Sequence, residues 1–515
     1  MQTSTRLGVH AISTLLPDLD RQPGPRYRAL SAALTAMLLD GRLTPGIRMP
    51  SERDLASALR ISRSTATAAY DELARDGLLS RRQGSGSYLT LPATVKLRGP
   101  ASRMSLEGAM DDVLDLSVAC LPAIPGVIES ALAAVGPLVG RYPQGDGYHP
   151  YGVPELRAAV AARYRARGVP TEPDQILVTN GAQHAFDLVL RLAVSPGDRV
   201  LTDMPTYPGA LDAIRQSGAR AVTVPFKPGG DWDVAAIRNA IRQTAPRLAF
   251  LIPDFHNPTG ALMTTDVRRE VLAAARRAGT TVVVDESFVE LDLREPPATA
   301  HPSATAESPG MAESPGTAEL PGTAESPATA ELPMASLEPS AISLGSLSKP
   351  IWAGLRVGWL RAAPDAVQRL AAIRARSDMG GPVIEQLMAT RLLPELDSIV
   401  TRRRAELRIK RDVLLRALAV ELPHWRPSRP LGGLSSWVEL DAAAATQLTH
   451  RLEQRGVLIT PGARFAVDGT LERYLRIPFA LPSGELVRAV ELIKRTWSEL
   501  GPSARPQRDT HLVTT

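Results

Sequence analysis

A strand-like run, Ala341 to Leu344, opens into Gly345-Ser346-Leu347-Ser348-Lys349-Pro350-Ile351-Trp352-Ala353-Gly354-Leu355-Arg356, and no other stretch narrows the fold as much. The chain has 59 basic residues, yet only five are lysine: Lys96, Lys227, Lys349, Lys410 and Lys494. One of the five stands here, beside two serines and seven residues before an arginine. An amine, hydroxyls and a guanidinium together suit a phosphorylated aldehyde. The amine forms a Schiff base, Arg356 takes the phosphate as a charge-assisted fork, and Ser346 donates its hydroxyl. A surface lysine that merely follows a strand is the plainer alternative.

Five more stretches extend the pattern. Val178-Thr179-Asn180-Gly181-Ala182-Gln183-His184-Ala185 is a strand entering a helix through a glycine turn. The free N–H groups of Ala182 and Gln183 at that helix start suit a phosphate. Pro205-Thr206-Tyr207-Pro208-Gly209 sets an aromatic ring in a proline-bounded loop. The apolar strand Leu248 to Ile252 ends in Pro253-Asp254-Phe255-His256-Asn257-Pro258-Thr259-Gly260. Thr281-Val282-Val283-Val284-Asp285 is a β-branched strand ending in an acid, and Tyr474-Leu475-Arg476-Ile477-Pro478-Phe479-Ala480 closes the series. In this order, over residues 178 to 476, the six motifs resemble those of the fold-type I pyridoxal-phosphate aminotransferases.

The resemblance implies pyridoxal 5'-phosphate as cofactor, with Lys349 carrying the Schiff base. Ala182, Gln183, Ser346 and Arg356 would hold its phosphate, Tyr207 would stack on the pyridine, and Asn257 would donate to the ring oxygen. A carboxylate at a strand's C-terminal end, here Asp285, can pair with the pyridine nitrogen and make the ring an electron sink. Arg476 would grip an amino acid's α-carboxylate bidentately. Upstream, Gly147-Tyr148-His149-Pro150-Tyr151-Gly152 also looks family-like, and Tyr148 would reach the phosphate of a neighbouring subunit. No metal site is expected. One position departs: where the family has a tyrosine shortly after the aspartate, this chain has Ser287 and Phe288. Losing a phenol that stabilises the ring oxygen should weaken turnover more than cofactor binding.

The first ninety residues have another use. Pro25 to Leu39 is a helical pattern with Leu30, Leu34, Met37 and Leu38 on one face. Ser51 caps a helix with Glu52 and Asp54 in its first turn, and Ser62 caps a second from Arg63 to Leu73. Asp76 to Tyr88 reads as a small β-hairpin with a glycine tip. Helix, helix-turn-helix and hairpin make a winged helix. The passage resembles the GntR-type DNA-binding domain. That implies Arg53, Ser62, Arg63, Ser64 and Thr65 at the major groove and its phosphates, with Gln83 and Gly84 in the wing. Residues 21–90 hold eleven arginines against six acids, a net of +5 that equals the formal charge of the whole chain. The basic excess therefore sits where phosphate contacts are expected.

Together the halves resemble the MocR subfamily of GntR regulators. The expected fold is α/β: a winged helix-turn-helix at 21–90, a linker at 91–113, and a fold-type I aminotransferase-like body at 114–500. That body should hold a large, mostly parallel mixed sheet with flanking helices and a smaller C-terminal α/β subdomain. A proline-punctuated hexapeptide recurs from Ala306, Ala312, Ala318, Ala324 and Ala330, so 297–337 is expected to be a disordered surface loop. The lone Cys120 forms no intrachain disulfide and is expected to be a small buried residue. No run of 18 apolar residues and no signal-peptide pattern occur, so a cytoplasmic protein without membrane contact is expected. The implied partners are double-stranded operator DNA, a second copy in a homodimer, and a small amine or amino-acid effector. Two alternatives stay open: the effector is pyridoxal phosphate itself, or the chain is a true aminotransferase with a DNA-binding head.

Overall fold

The computed structural model describes residues 16, 25–39, 43, 46–82, 86–90, 113–140, 142, 145–227, 230–294, 331–467 and 469–500. Gln83, Gly84, residues 91–112 of the linker, residues 295–296 and residues 297–330 of the insertion lie outside them.

Among the described residues the N-terminal unit has three helices, Arg26–Leu39, Glu52–Leu59 and Arg63–Arg75, followed by the antiparallel strands β1 (Leu79–Arg82) and β2 (Gly86–Leu89). Leu30, Leu34, Met37, Leu38, Leu55, Tyr70, Leu73 and Leu89 are buried in one core. Both expected caps form: Ser51 Oγ accepts from the N–H of Asp54 and Ser62 Oγ from that of Thr65, each at 3.1 Å. Between these helices Arg60 adopts a left-handed conformation with φ 52°, which stops the first helix and turns the chain into the second.

The body is built on two sheets. The strands are β3 (Leu114–Leu116), β4 (Ile176–Thr179), β5 (Arg199–Met204), β6 (Arg220–Pro225), β7 (Leu248–Leu251), β8 (Thr281–Asp285), β9 (Ile342–Ser346), β10 (Gly358–Arg361), β11 (Arg426–Pro427), β12 (Ser435–Glu439), β13 (Val457–Pro461) and β14 (Tyr474–Pro478). The large sheet has the order β4-β10-β9-β8-β7-β5-β6. Only β10 is antiparallel to its neighbours β4 and β9, so the other six strands run one way. Their carboxyl ends gather at one edge, where ligands bind in such sheets. β4, β7 and β9 are buried at every residue, as expected of strands covered on both faces.

The smaller sheet has the order β11-β12-β14-β13-β3. Its edge strand β3 comes directly after the linker and pairs in parallel with β13, so the subdomain is C-terminal plus this early strand. One boundary needs correction. Residues 331–337, expected to belong to the loop, are part of the packed body. Met334–Leu337 is a helical turn whose Met334 and Ala335 are buried. Glu331 accepts from the N–H and hydroxyl of Thr265, and Arg268 donates to Leu332 O at 3.2 Å. The repeat's last copy therefore carries packing residues that its sequence pattern conceals. Among the described residues no helix is long and apolar enough to cross a membrane.

Candidate functional site

A cavity of about 170 Å³ lies at the carboxyl edge of the large sheet. Its walls include Ala182, Gln183, Tyr207, Asn257, Asp285, Ser346, Lys349 and Arg356, residues up to 174 positions apart in sequence that the motifs singled out. Each reaches it from the end of a strand. β4 delivers Gly181 and the helix Ala182–Ala193, β5 delivers Tyr207, and β7 leads to Asn257. Asp285 is the last residue of β8 and Ser346 the last of β9. A larger cleft of about 340 Å³, between the helix Pro208–Gln216 and the turn Gly462–Phe465, holds none of these residues.

The turn before Ala182 depends on glycine. Gly181 has φ 93°, a region that side chains rarely adopt, and it caps the helix without a side-chain hydrogen bond. The first N–H groups of that helix are thus left for a ligand. Gly358 on β10 passes so close that an added Cβ would meet the Gly181 backbone at 2.6 Å. Asn180 steadies the turn by donating to Asp378 at 2.9 Å, and Arg374 holds that carboxylate at 2.7 Å. Arg356 stands over the turn, its Nη2 donating to Asn180 O at 2.7 Å. Ser346 Oγ bonds Ser348 Oγ at 2.9 Å, which adds Ser348 to the cavity wall as a hydroxyl the motif reading had not assigned.

Burial pushes the Asp285 carboxyl above its ordinary range, while hydrogen bonds from Ser287 and the Lys349 charge oppose the shift. The Ser287 N–H donates to Asp285 Oδ1 at 2.8 Å. Tyr207 is likewise shifted upward, by burial first and by the negative Asp285 second. Asn257 is buried, and its Oδ1 has no partner in the protein. Behind it, His256 Nδ1 bonds Thr259 Oγ1 at 2.9 Å, and His256 Nε2 lies 3.7 Å from Asp203. Burial lowers His256 to about 3 and raises Asp203 to about 7, so burial favours the neutral form of both near pH 6.

Lys349 Nζ donates to Ala119 O at 2.8 Å, contacts Cys120 Sγ at 3.3 Å and lies 5.6 Å from the centre of the Phe288 ring. Phe288 thus occupies the wall where a phenol was missed. Cys120 corrects the expectation of an inert core residue: it is partly exposed and lines the cavity. The resemblance places the Asp115–Pro122 stretch near the substrate site, but nothing in a lone cysteine says that it will meet a lysine 229 positions on. Arg476 on β14 is buried, donates to Ser117 O and stacks 5.3 Å from the Phe465 ring. Tyr148 does not join this cavity. It lies 56% exposed on the loop before Tyr151.

The donor set fits pyridoxal phosphate. A glycine turn with open N–H groups, two serines and Arg356 suit the phosphate. The Asn257 Nδ2 can donate to a ring oxygen, and a pyridinium nitrogen would stabilise the carboxylate form of the buried Asp285 against burial.

On the winged helix, Arg53, Ser62, Arg63 and Ser64 are exposed and Thr65 is half-buried. Ser62 Oγ is engaged as a cap and also bonds Ser64 Oγ at 2.8 Å and Thr65 Oγ1 at 2.7 Å. Arg81 pairs with Asp71 at 2.7 Å, whereas among the described residues Arg53 and Arg63 make no ion pair.

Residues 127–493 match the aminotransferase class I and II family, and residues 26–89 match the gntR family of bacterial regulatory proteins. The probable rhizopine catabolism regulatory protein MocR of Rhizobium meliloti is 32% identical over 303 residues, which cover 55% of this chain and 60% of that protein. The chain belongs to the aminotransferase class I and II family and carries a gntR-type domain ahead of it, with MocR among its homologues. Another regulator, TauR of Rhodobacter capsulatus, is 26% identical over 505 residues, covering 90% of this chain and 95% of its own. Among solved structures, LysN is similar with a TM-score of 0.63 and 30% identity, over 76% of this chain and 93% of that one. That protein is an α-aminoadipate aminotransferase from Thermus thermophilus, complexed with N-(5'-phosphopyridoxyl)-L-leucine. As a GntR-type regulator fused to an aminotransferase-like body, this chain binds DNA and uses pyridoxal phosphate.

Proposed function

We propose that the regulator works as a homodimer whose DNA affinity is set at the Lys349 cavity by a small amine or amino acid. The convergence of Lys349, Asp285, Asn257, Tyr207 and Arg356 on one cavity carries this reading. When bound, pyridoxal phosphate supplies an aldehyde carbon for a covalent link and a ring that withdraws electrons. Lys349 attaches it. Ala182 and Gln183 N–H groups, Ser346 and Arg356 hold its phosphate, Tyr207 covers one ring face, and Asp285 keeps a proton on the ring nitrogen. An incoming amine competes with Lys349 for the link, and Arg476 takes its carboxylate if it has one. Tyr148, exposed on its own chain, would serve the second subunit's phosphate. Two winged helices per dimer then read paired half-sites.

A second reading, an aminotransferase with a DNA-binding head, draws on the same set, because the lysine, acid and carboxylate arginine are all present. Phe288 argues against it, since no phenol stands at that wall to stabilise a ring oxygenate. A panel of amino acids assayed for turnover and for displacement of the Lys349 link separates the two. Displacement without sustained turnover supports the regulator, and multiple turnovers support the enzyme.

A further inference from the structure

Lys349 and Arg476 hold the same short piece of backbone. Lys349 Nζ donates to Ala119 O at 2.8 Å and touches Cys120 Sγ at 3.3 Å. Arg476 donates to Ser117 O, which also accepts from Thr460 Oγ1 at 3.2 Å. The piece is anchored on both sides by contacts outside the cavity. Before it, β3 pairs with β13, and the Leu114 N–H donates to Gly456 O at 2.8 Å. After it, Arg403 donates to Pro122 O and, at 3.0 Å, to Ile351 O. Between these anchors, the side chains that hold Ser117–Cys120 include the two assigned to cofactor and effector. Going back along the chain, β3 leads straight to the linker that carries the winged helix.

We propose that Ser117–Cys120 reads the occupancy of the cavity and passes it through β3 to the linker, an inference that rests on the function proposed above. The chemistry is competition for donors. An ammonium has three protons to offer, but a lysine nitrogen linked to an aldehyde carbon keeps at most one, so Ala119 O and Cys120 lose their partner. A carboxylate gripped bidentately by Arg476 competes with Ser117 O for the same guanidinium. The cofactor loosens the Lys349 hold, whereas an amino acid that displaces Lys349 returns that donor to Ala119 O while its carboxylate loosens the Arg476 hold, so both events act on the same four residues and are coupled, and the linker's attachment changes with both.

Two substitutions at one position separate this from a plain binding role. Lys349→Ala removes both the link and the hold. Lys349→Arg cannot form the link but keeps a donor toward Ala119 O. Affinity of the full-length protein for a DNA fragment from upstream of its own gene is measured with and without pyridoxal phosphate. Amide exchange of residues 114–122 is followed in parallel. The wild type should shift its affinity on loading, with severalfold faster exchange in this stretch. Lys349→Ala should match the loaded wild type without any cofactor, and Lys349→Arg should stay at the cofactor-free value throughout. Lys349→Ala behaving as cofactor-free wild type, while the wild type itself responds, overturns the inference and leaves the proposed function standing. If either variant fails to fold, the wild type alone decides: unchanged exchange in 114–122 on loading overturns it. A wild type whose DNA affinity ignores both pyridoxal phosphate and amines overturns the inference together with the function beneath it.

Discussion

In the proposed function two helix starts face a phosphate, and they are prepared in opposite ways. The helix Arg63–Arg75 begins at Ser62, whose hydroxyl accepts from Thr65 N–H and so satisfies one of the open donors. The helix Ala182–Ala193 begins at Gly181, which has no side chain to do this and holds φ 93°. The first is a stable, solvent-facing surface that leaves recognition to the exposed Arg63. The second keeps its backbone donors open inside a cavity and trades local stability for a ligand site. A helix that must present side chains is capped by a side chain, and one that must present backbone is capped by glycine.

The sharpest break of this contrast is Lys349→Ala. All covalently attached cofactor, fixed by borohydride and counted by mass, should disappear, while the fold by circular dichroism stays. Next comes Arg63→Ala, which should cost roughly 1–3 kcal/mol per half-site if a bidentate base contact is lost, twice in a dimer, with the cofactor's absorbance unchanged. Gly181→Ala should do the reverse. It forces a side chain into a backbone region that is essentially glycine's alone, at about 1–3 kcal/mol, and crowds Arg356 at 3.3 Å, lowering cofactor affinity and leaving DNA affinity alone. Ser62→Ala should cost about 1 kcal/mol of winged-helix stability through the lost cap and leave the cofactor untouched.

The smallest effect uses pH. Asp203 is raised from an ordinary carboxylate value to about 7. Its favourable protonated form is present below the ordinary carboxylate range and is lost as pH rises through about 7, so the folded body is weakened on the alkaline side. Asp203→Asn should therefore raise the melting temperature of the body more at pH 8 than at pH 5. His256, lowered to about 3, acts in the opposite direction on the acid side, and because it lies 3.7 Å from Asp203 the comparison reads the pair, with the alkaline side dominated by Asp203.

Most of the cavity was legible in the sequence because its residues sit at the ends of buried strands. There, local patterns such as Thr281–Asp285 or Ala341–Ser346 mark both the strand and the functional residue. Both caps of the winged helix were legible for the same local reason. What stayed hidden was non-local. β3 pairs with a strand more than 340 residues later, and that pairing places Ala119 and Cys120 on Lys349. Met334 belongs to the core although its sequence is that of a repeat, since burial is decided by the groove around Thr265 and Arg268 rather than by the hexapeptide. Gln83 and Gly84 lie outside the described residues, so the wing's contacts rest on the resemblance.

In the proposed function one cavity, built around Lys349, sets what the winged helix does on DNA. The most direct test titrates full-length protein loaded with pyridoxal phosphate against DNA from upstream of its own gene, across a panel of amines and amino acids. The account predicts that at least one amine which displaces the Lys349 link, seen as a change in cofactor absorbance, also shifts DNA affinity over the same concentration range. Displacement of the link by every reactive amine with no change in DNA affinity would contradict it.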